Sequence, residues 1–197
     1  MTPLVVATRN KAKLSEIRRE LMTCPVKICS PEEFPQIGEI VEEAETFEGN
    51  ALKKARTACQ ATGLLSLGDD SGLVVQVLGG APGVLSARYA GPMATDKDNN
   101  QKLLQEMKGI PAEKRGAIYV CVLAVVSPTG NEHLIRASCE GVIAEKPAGK
   151  GGFGYDPLFF LPALNKTMAQ ISLEEKNRLS HRGKALRELK QMIQSFL

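Results

Sequence analysis

Two consecutive carboxylates, Asp69 and Asp70, are the residues of this sequence best suited to chemistry. They are followed by Ser71-Gly72 and lie between two apolar runs, the second covering residues 73–78. Two acids at the end of a buried strand are costly unless a positive group neutralises them. Mg²⁺ prefers carboxylate and phosphate oxygens, so a bound divalent cation is one interpretation. A polar turn with side-chain-to-backbone hydrogen bonds is the other, and these four residues alone favour the turn.

The first polar turn of the chain is a candidate for binding an anion. Residues 4–7 are an apolar run typical of a buried strand, and residues 11–22 show the apolar spacing of a helix. Free backbone N–H groups and the helix dipole at such a junction attract anions, and Thr8, Asn10 and Lys13 would add side-chain donors. Ordinary capping of the helix by Asn10 explains the same turn without a ligand. The glycines of a Walker loop are missing.

An acidic segment precedes the second predicted helix. Seven glutamates lie between residues 32 and 48, and we expect most of them to be solvated, with one available as a further metal ligand. From Thr46 the apolar spacing predicts a helix whose small-residue face packs closely on a sheet. Asn50 is unexpected inside that helix on propensity, which indicates a local task.

The second half of the chain contains a predicted hairpin and a glycine-rich loop. Residues 117–127 and 133–143 read as strands joined by the turn at 128–131. The loop at 149–154 matches a dinucleotide fingerprint in letters only, because no helix follows it. Such a loop can instead let a planar ligand approach the backbone and stack on an aromatic ring.

Two helix starts are predicted near the end of the chain. Residues 172–175 form a capping box, and residues 180–183 lead into a final helix with an apolar inner face. Taken alone, His181-Arg182 reads as the exposed start of that helix.

Composition indicates a soluble globular chain. The sequence has 197 residues, of which 43% are hydrophobic and 24% charged, with a net charge of +3. No run of Lys and Arg suggests nucleic-acid binding, and no apolar run is long enough to span a membrane. Five widely spaced cysteines without a CxxC motif favour reduced thiols in a cytoplasmic protein. The first residues lack the pattern of a signal peptide.

Six blocks, in order along nearly the whole chain, resemble the inosine/xanthosine triphosphate pyrophosphatase family, which removes non-standard purine nucleotides. The blocks are residues 7–13, 46–55, 69–73, 78–89, 147–157 (PAGKGGFGYDP) and 174–183 with its Glu-Glu-Lys and Ser-His-Arg-Gly. Two positions depart from the family pattern: Arg9 replaces a small residue, with an open effect on phosphate affinity, and Gly49 replaces a frequent acid.

The resemblance implies one nucleotide pyrophosphatase domain over residues 1–197. Its expected fold is α/β, with a mixed central sheet flanked by helices and two lobes that have the active site in the groove between them. The expected reaction is Mg²⁺-dependent cleavage between the α and β phosphates of inosine, deoxyinosine and xanthosine triphosphates, giving the monophosphate and pyrophosphate. The expected partner is a purine nucleoside triphosphate, and the expected assembly is a homodimer.

The resemblance also implies a role for each matching residue. Asp70 would take the proton of the attacking water, and Glu42 and Asp70 would bind Mg²⁺ with Asp69 close by. The substrate-binding residues would be Thr8, Arg9, Asn10, Lys11, Ala12, Lys13, Lys54, Ser71, Phe153, Gly154, Tyr155, Asp156, Lys176, His181 and Arg182.

The base-reading residues would be rich in donors. Lys176, His181 and Arg182 would pair with the 6-oxo group of hypoxanthine or xanthine and disfavour the 6-amino group of adenine. Neutralisation of phosphate by Arg182 is the alternative. Two other functions stay open from the sequence: a nucleotide phosphohydrolase of other base specificity on a related fold, and a non-catalytic nucleotide-binding protein.

Overall fold

The computed structural model describes residues 1–197, and its central element is a seven-stranded sheet. The strands are Thr2–Val6 (β1), Val26–Cys29 (β2), Leu65–Val75 (β3), Gly116–Val126 (β4), Glu132–Ile143 (β5), Phe159–Leu161 (β6) and Lys166–Thr167 (β7). Their order in the sheet is β2-β1-β3-β4-β5-β6-β7. β1 is parallel to β2 and β3, whereas β6 is antiparallel to β5 and β7, so the predicted mixed sheet is confirmed.

Five α-helices accompany the sheet. They are Lys11–Glu20 (α1), Phe47–Thr62 (α2), Asp96–Glu106 (α3), Leu173–Leu179 (α4) and His181–Met192 (α5). The predicted capping box at Ser172 is present, with the Ser172 hydroxyl accepting from the Glu175 N–H. No helix in the structure has the length and hydrophobicity needed to cross a membrane.

The chain divides into two compact units, and the first comprises residues 1–70, 121–137 and 182–197. Its strand β1 is buried on both faces. Leu4 and Val6 pack with apolar residues of α1 and α5, whereas Val5 and Ala7 pack with Ala58 of α2. Because side chains alternate along a strand, this short apolar run places helices on both faces of the sheet.

The second unit comprises residues 71–120 and 138–181 and has its own core. That core joins apolar residues of β3, β4 and β5 to those of α3 and of the segment that follows the glycine-rich loop. Arg115 is a buried polar residue of this unit. Its guanidinium donates to the backbone carbonyls of Met107 (2.9 Å), Ile110 (3.3 Å), Ile143 (2.6 Å) and Ala144 (3.1 Å).

Replacing Arg115 by methionine is expected to lower the free energy of unfolding by about 2–3 kcal/mol, because buried carbonyls lose their donors while much of the apolar stem is kept. Urea unfolding followed by circular dichroism measures the change. Lys114→Met is the matched control, because Lys114 is exposed and adjacent. Equal stability of the two variants would contradict the role given to Arg115.

The path of β3 through the two acids differs from the one that the sequence favoured, and this difference matters for the site. It runs without interruption through residues 69–72, so the turn that these residues alone favoured is wrong. Both acids therefore lie inside a buried strand rather than at its end.

Candidate active site

The two acids of β3 face opposite sides of the sheet. Successive side chains of a strand alternate, so Asp69 is directed toward α1 and α5 and Asp70 toward α2. Gly68 brings α2 close, since a Cβ at this position would lie 2.1 Å from the carbonyl oxygen of Ala51. This approach puts polar residues of α2 within reach of Asp70.

One cluster, the Lys54 cluster, consists of Glu42, Lys54 and Asp70. The Lys54 ammonium lies 2.8 Å from Glu42 Oε1 and 2.8 Å from Asp70 Oδ1, and it also donates to the Asp69 carbonyl at 3.1 Å. Two carboxylates thus converge on one cation at a position where the Asp70 and Lys54 side chains are buried.

Asn50 supports this arrangement, as its unexpected place in a helix indicated. Its side chain accepts from the Ala44 N–H and donates to the Ala44 carbonyl, at 3.0 and 3.2 Å. The same amide lies 3.4 Å from Asp70 Oδ2. Asn50 therefore ties the acidic segment before α2, which carries Glu42, to the strand that carries Asp70.

The pKa values of the two carboxyl groups in the Lys54 cluster are shifted in opposite directions from their ordinary values. Burial raises the pKa of Asp70 above its ordinary value, although the Lys54 ammonium acts in the other direction. Burial also acts to raise the pKa of Glu42, but the charge of Lys54 outweighs it and the pKa is lowered. An acid whose pKa is raised is better suited to accept a proton than one whose pKa is lowered.

The donor set of the Lys54 cluster fits Mg²⁺. A magnesium ion is usually held by one or two carboxylates, with water and substrate phosphates completing its ligands. Glu42 and Asp70 provide two carboxylates that already converge on a positive charge. No group of three or more His, Cys, Asp or Glu side chains is arranged as a metal site.

A second cluster, the Arg182 network, consists of Lys13, Glu16, Asp69 and Arg182. Asp69 Oδ1 accepts from the Lys13 ammonium and Asp69 Oδ2 from Arg182 Nε, both at 2.7 Å. Arg182 Nη1 donates to Glu16 Oε2 at 2.7 Å, so charges of alternating sign join α1, β3 and α5.

In the Arg182 network, the effect of charge pairing on the pKa values is larger than the effect of burial. Burial acts to raise the pKa of Asp69, but Arg182 and Lys13 hold it well below its ordinary value. Burial acts to lower the pKa of Arg182, but Asp69 keeps it above its ordinary value. Both oxygens of Asp69 accept from cationic side chains, and this geometry favours a role in positioning over the predicted role near the metal.

Arg182 and His181 are buried, so the sequence interpretation of an exposed helix start is wrong. The side chains of Arg182 and His181 are 2% and 5% exposed. The contacts of Arg182 with Glu16 and Asp69 favour a structural role for its guanidinium over direct base reading.

The turn before α1 has the local geometry of an ordinary helix cap. Asn10 Oδ1 accepts from the backbone N–H groups of Ala12 and Lys13, at 3.0 and 3.1 Å. Thr8 Oγ1 accepts from the Asn10 N–H at 3.2 Å, and Arg9 donates to the Gly38 carbonyl at 2.6 Å. A cavity of about 310 Å³ adjoins the turn; its lining residues are Thr8, Arg9, Lys11, Leu14, Ser15, Arg18, Ser30, Pro31 and Glu32.

The third cluster, the Asp156 cluster, lies in the second unit and consists of Tyr119, Phe153, Asp156 and Lys176. Asp156 is 2% exposed. Its Oδ2 accepts from the Lys176 ammonium at 2.7 Å and from the Phe153 N–H at 3.0 Å. Its Oδ1 accepts from the Tyr119 hydroxyl at 3.2 Å. The Lys176 ammonium also lies 4.4 Å from the centroid of the Phe153 ring.

The remaining predicted substrate residues of this unit have mainly structural contacts. The Gly154 N–H donates to Asp96 at 2.6 Å, and its carbonyl accepts from Asn100 at 2.8 Å. Tyr155 is buried, and its hydroxyl donates to the Ser86 carbonyl at 2.8 Å. Ser71 is half-buried within β3.

Two residues of these clusters were missed at the level of sequence. Glu16 lies three residues after Lys13 on α1, so its spacing places both on one helix face, but nothing local indicates a buried partner for it. Tyr119 lies within an apolar strand and gives no sequence signal beyond strand propensity.

Comparisons with known proteins bear on nearly the whole chain. A family model described as the Ham1 family matches residues 4–192. A dITP/XTP pyrophosphatase of Geobacter sulfurreducens is 53% identical over 190 residues, covering 96% of this chain and 96% of the relative. One of Desulforamulus reducens is 47% identical over 190 residues, covering 96% and 94%.

Solved structures are similar in fold as well. A HAM1 protein from Coxiella burnetii matches with a TM-score of 0.91 at 40% identity, covering 99% of this chain and 100% of that one. The Ham1 protein of Staphylococcus aureus matches with a TM-score of 0.88 at 35% identity, covering 98% of each chain.

Proposed function

The chain belongs to the Ham1 family, and we propose that it hydrolyses the non-standard purine nucleoside triphosphates ITP, dITP and XTP. The products are the nucleoside monophosphate and pyrophosphate, and the cofactor is Mg²⁺. The relatives described above carry the name dITP/XTP pyrophosphatase, which supports this class of enzyme.

The observation that carries the proposal is the Lys54 cluster. Glu42 and Asp70 converge on one cation at 2.8 Å each, inside the first unit of the chain. Lys13 is paired with the neighbouring Asp69, and its charge also acts to lower the pKa values of Glu42 and Asp70. A triphosphate brings about four negative charges, which need cations and oriented donors around them. The cluster combines the acids that hold a metal with a lysine that can pair with phosphate.

Each residue of the Lys54 cluster then has a defined task. Glu42 and Asp70 would hold Mg²⁺, and the chemistry that Mg²⁺ supplies when bound is neutralisation of phosphate charge. Asp70, a carboxylate within hydrogen-bond distance of Lys54 and Asn50, would accept the proton of the attacking water. Lys54 turns from its carboxylate partners toward the incoming phosphates. Asn50 keeps the segment that carries Glu42 next to β3.

The phosphate end of the substrate is assigned to Lys13 and to the turn at residues 8–12. The lining of the adjoining cavity includes Arg9, Lys11 and Arg18 against the single carboxylate of Glu32, which suits an anion. The base is assigned to Phe153, Lys176 and His181, which provide an aromatic face and hydrogen-bond donors. Asp69 and Arg182 lie in the interior of the first unit, where they hold Lys13 and Glu16 in place.

The proposal extends to assembly and location. We propose a homodimer, as the resemblance to the pyrophosphatase family implies; large apolar side chains such as Met93 (92% exposed) and Leu85 (48% exposed) are available to an interface. We propose a cytoplasmic location, supported by five cysteines that are all buried and form no disulfide. Light scattering coupled to gel filtration tests the dimer, and a monomer mass would contradict it.

A nucleotide panel with pyrophosphate detection tests the function. We expect pyrophosphate release from ITP, dITP and XTP in the presence of Mg²⁺, and much slower release from ATP and from pyrimidine nucleotides. EDTA is expected to stop the reaction and excess Mg²⁺ to restore it. Release of orthophosphate, a preference for another base, or full activity in EDTA would each contradict a separate part of the proposal.

A further inference from the structure

Tyr119 connects two parts of the second unit that carry proposed base-binding residues. Its side chain is 6% exposed and lies on β4. Its ring stacks on the ring of His181, with 4.6 Å between centroids and 16° between planes. Its hydroxyl donates to Asp156 Oδ1 at 3.2 Å. The residue thus contacts the first residue of α5 and the end of the glycine-rich loop at once.

The carboxylate that accepts from Tyr119 also fixes two other residues. Through its other oxygen, Asp156 accepts from the Phe153 N–H at 3.0 Å and from the Lys176 ammonium at 2.7 Å. Rotation of this carboxylate would therefore shift the Phe153 backbone and the Lys176 ammonium together.

The glycine-rich loop is shaped around the same carboxylate. A Cβ at Gly152 would lie 1.9 Å from Asp156 Oδ2, and Gly152 has a φ of +72°, which favours glycine. The loop can therefore close on Asp156 only because position 152 has no side chain. The orientation of the Asp156 carboxylate accordingly determines where the loop presents Phe153.

We propose that Tyr119 is a positioning residue for selection of the nucleobase, acting through Asp156 and His181. The inference rests on the function proposed above and adds a residue that determines specificity. Tyr119 donates to one oxygen of Asp156, and this fixes the carboxylate that holds Lys176 and Phe153. The Tyr119 ring also keeps the imidazole of His181 parallel to it. A donor-rich site discriminates between 6-oxo and 6-amino purines only when its donors are held in fixed directions.

The hydroxyl group distinguishes this role from simple core packing. Phenylalanine would fill nearly the same volume and would stack equally well on His181. A buried hydroxyl is costly unless it is hydrogen-bonded, and here it is bonded to a carboxylate. Burial and the Asp156 charge both raise the pKa of Tyr119 well above its ordinary value, so the phenol stays protonated and donates.

Tyr119→Phe tests the proposal because it removes the hydroxyl and keeps the ring. We expect the ratio of kcat/KM for ITP to kcat/KM for ATP to fall roughly tenfold, as Asp156 loses a fixed partner. Tyr89→Phe is the matched control. It removes a phenol hydroxyl from the same unit, where that hydroxyl donates to Glu106. Thermal unfolding of both variants is measured alongside.

The possible outcomes distinguish a positioning role of Tyr119 from a purely structural role. They also distinguish failure of this inference from failure of the proposed function. A lowered ITP/ATP ratio in Tyr119→Phe, with an unchanged ratio in Tyr89→Phe, supports the proposal. A change in melting temperature without a change in the ratio overturns it, while the pyrophosphatase function stands. If the wild-type protein releases no pyrophosphate from any nucleotide, the proposed function fails and the inference resting on it fails too.

Discussion

Replacing Asp70 by asparagine is expected to reduce pyrophosphate release by about 10²-fold or more while the protein stays folded. The asparagine keeps the size of the side chain and an oxygen that can accept from the Lys54 ammonium. It removes the negative charge that would hold the metal and the basicity that would take a proton from water. Steady-state rates with ITP and saturating Mg²⁺ measure the loss, and circular dichroism verifies the fold.

The control for Asp70→Asn is Asp98→Asn, the same chemical change at an exposed cap of α3. This variant is expected to hydrolyse ITP at the wild-type rate, because Asp98 is exposed and its hydrogen bonds join it to Thr95 at the start of α3. A folded Asp70→Asn variant with a rate close to the wild type would remove Asp70 from the mechanism. Equal losses in both variants would point to a general effect of the substitution.

Replacing Asp69 by asparagine is expected to lower the free energy of unfolding by about 3–5 kcal/mol. The Asp69 side chain is 0% exposed and lies between Lys13 and Arg182, at 2.7 Å from each. Removing its charge takes from the buried Arg182 guanidinium one of the two carboxylates that pair with it in the network. Urea unfolding of the metal-free proteins at neutral pH measures the difference.

The effect of Asp69 on stability should depend on pH. Its pKa in the folded protein is well below the ordinary value of 3.8, so the ionised group stabilises the fold fully only above that value. As the pH falls below 3.8, the unfolded chain takes up a proton that the folded protein does not, and stability is lost. The difference in the free energy of unfolding between the wild type and Asp69→Asn is therefore expected to be largest near neutral pH and to become smaller in acid.

Glu43→Gln is the control for this series, because Glu43 is exposed and pairs with the partly exposed Lys53. It is expected to change the free energy of unfolding by less than about 1 kcal/mol. If Asp69→Asn were as stable as this control at neutral pH, the Arg182 network would have no stabilising role.

The boundaries of the regular elements were largely predictable, because they depend on neighbouring residues. The capping box at Ser172 and the N-cap at Asn10 are local hydrogen-bond patterns, and both are present. The paired strands 116–126 and 132–143 lie within one residue of the predicted ranges. The path of β3 was not predictable in this way, because two adjacent acids followed by Ser-Gly have the local chemistry of a turn.

The pairing of charges was decided by the tertiary structure alone. Asp69 and Asp70 are neighbours in sequence, yet alternation along β3 sends them to different partners. The partner Arg182 is 113 residues from Asp69, and no periodicity in the chain indicates that contact.

The sequence by itself determined the family blocks, the acids and lysines available for phosphate chemistry, and the local helix caps, because all of these depend on residue type and short spacing. Only the tertiary structure decided that Asp70 shares Lys54 with Glu42 and that Asp69 is enclosed by Lys13 and Arg182. The physical reason is that a buried charge must be neutralised by whatever the fold brings next to it. In this chain Lys13 and Arg182 come from α1 and α5, which are distant in sequence from β3, and Lys54 comes from α2, which immediately precedes it.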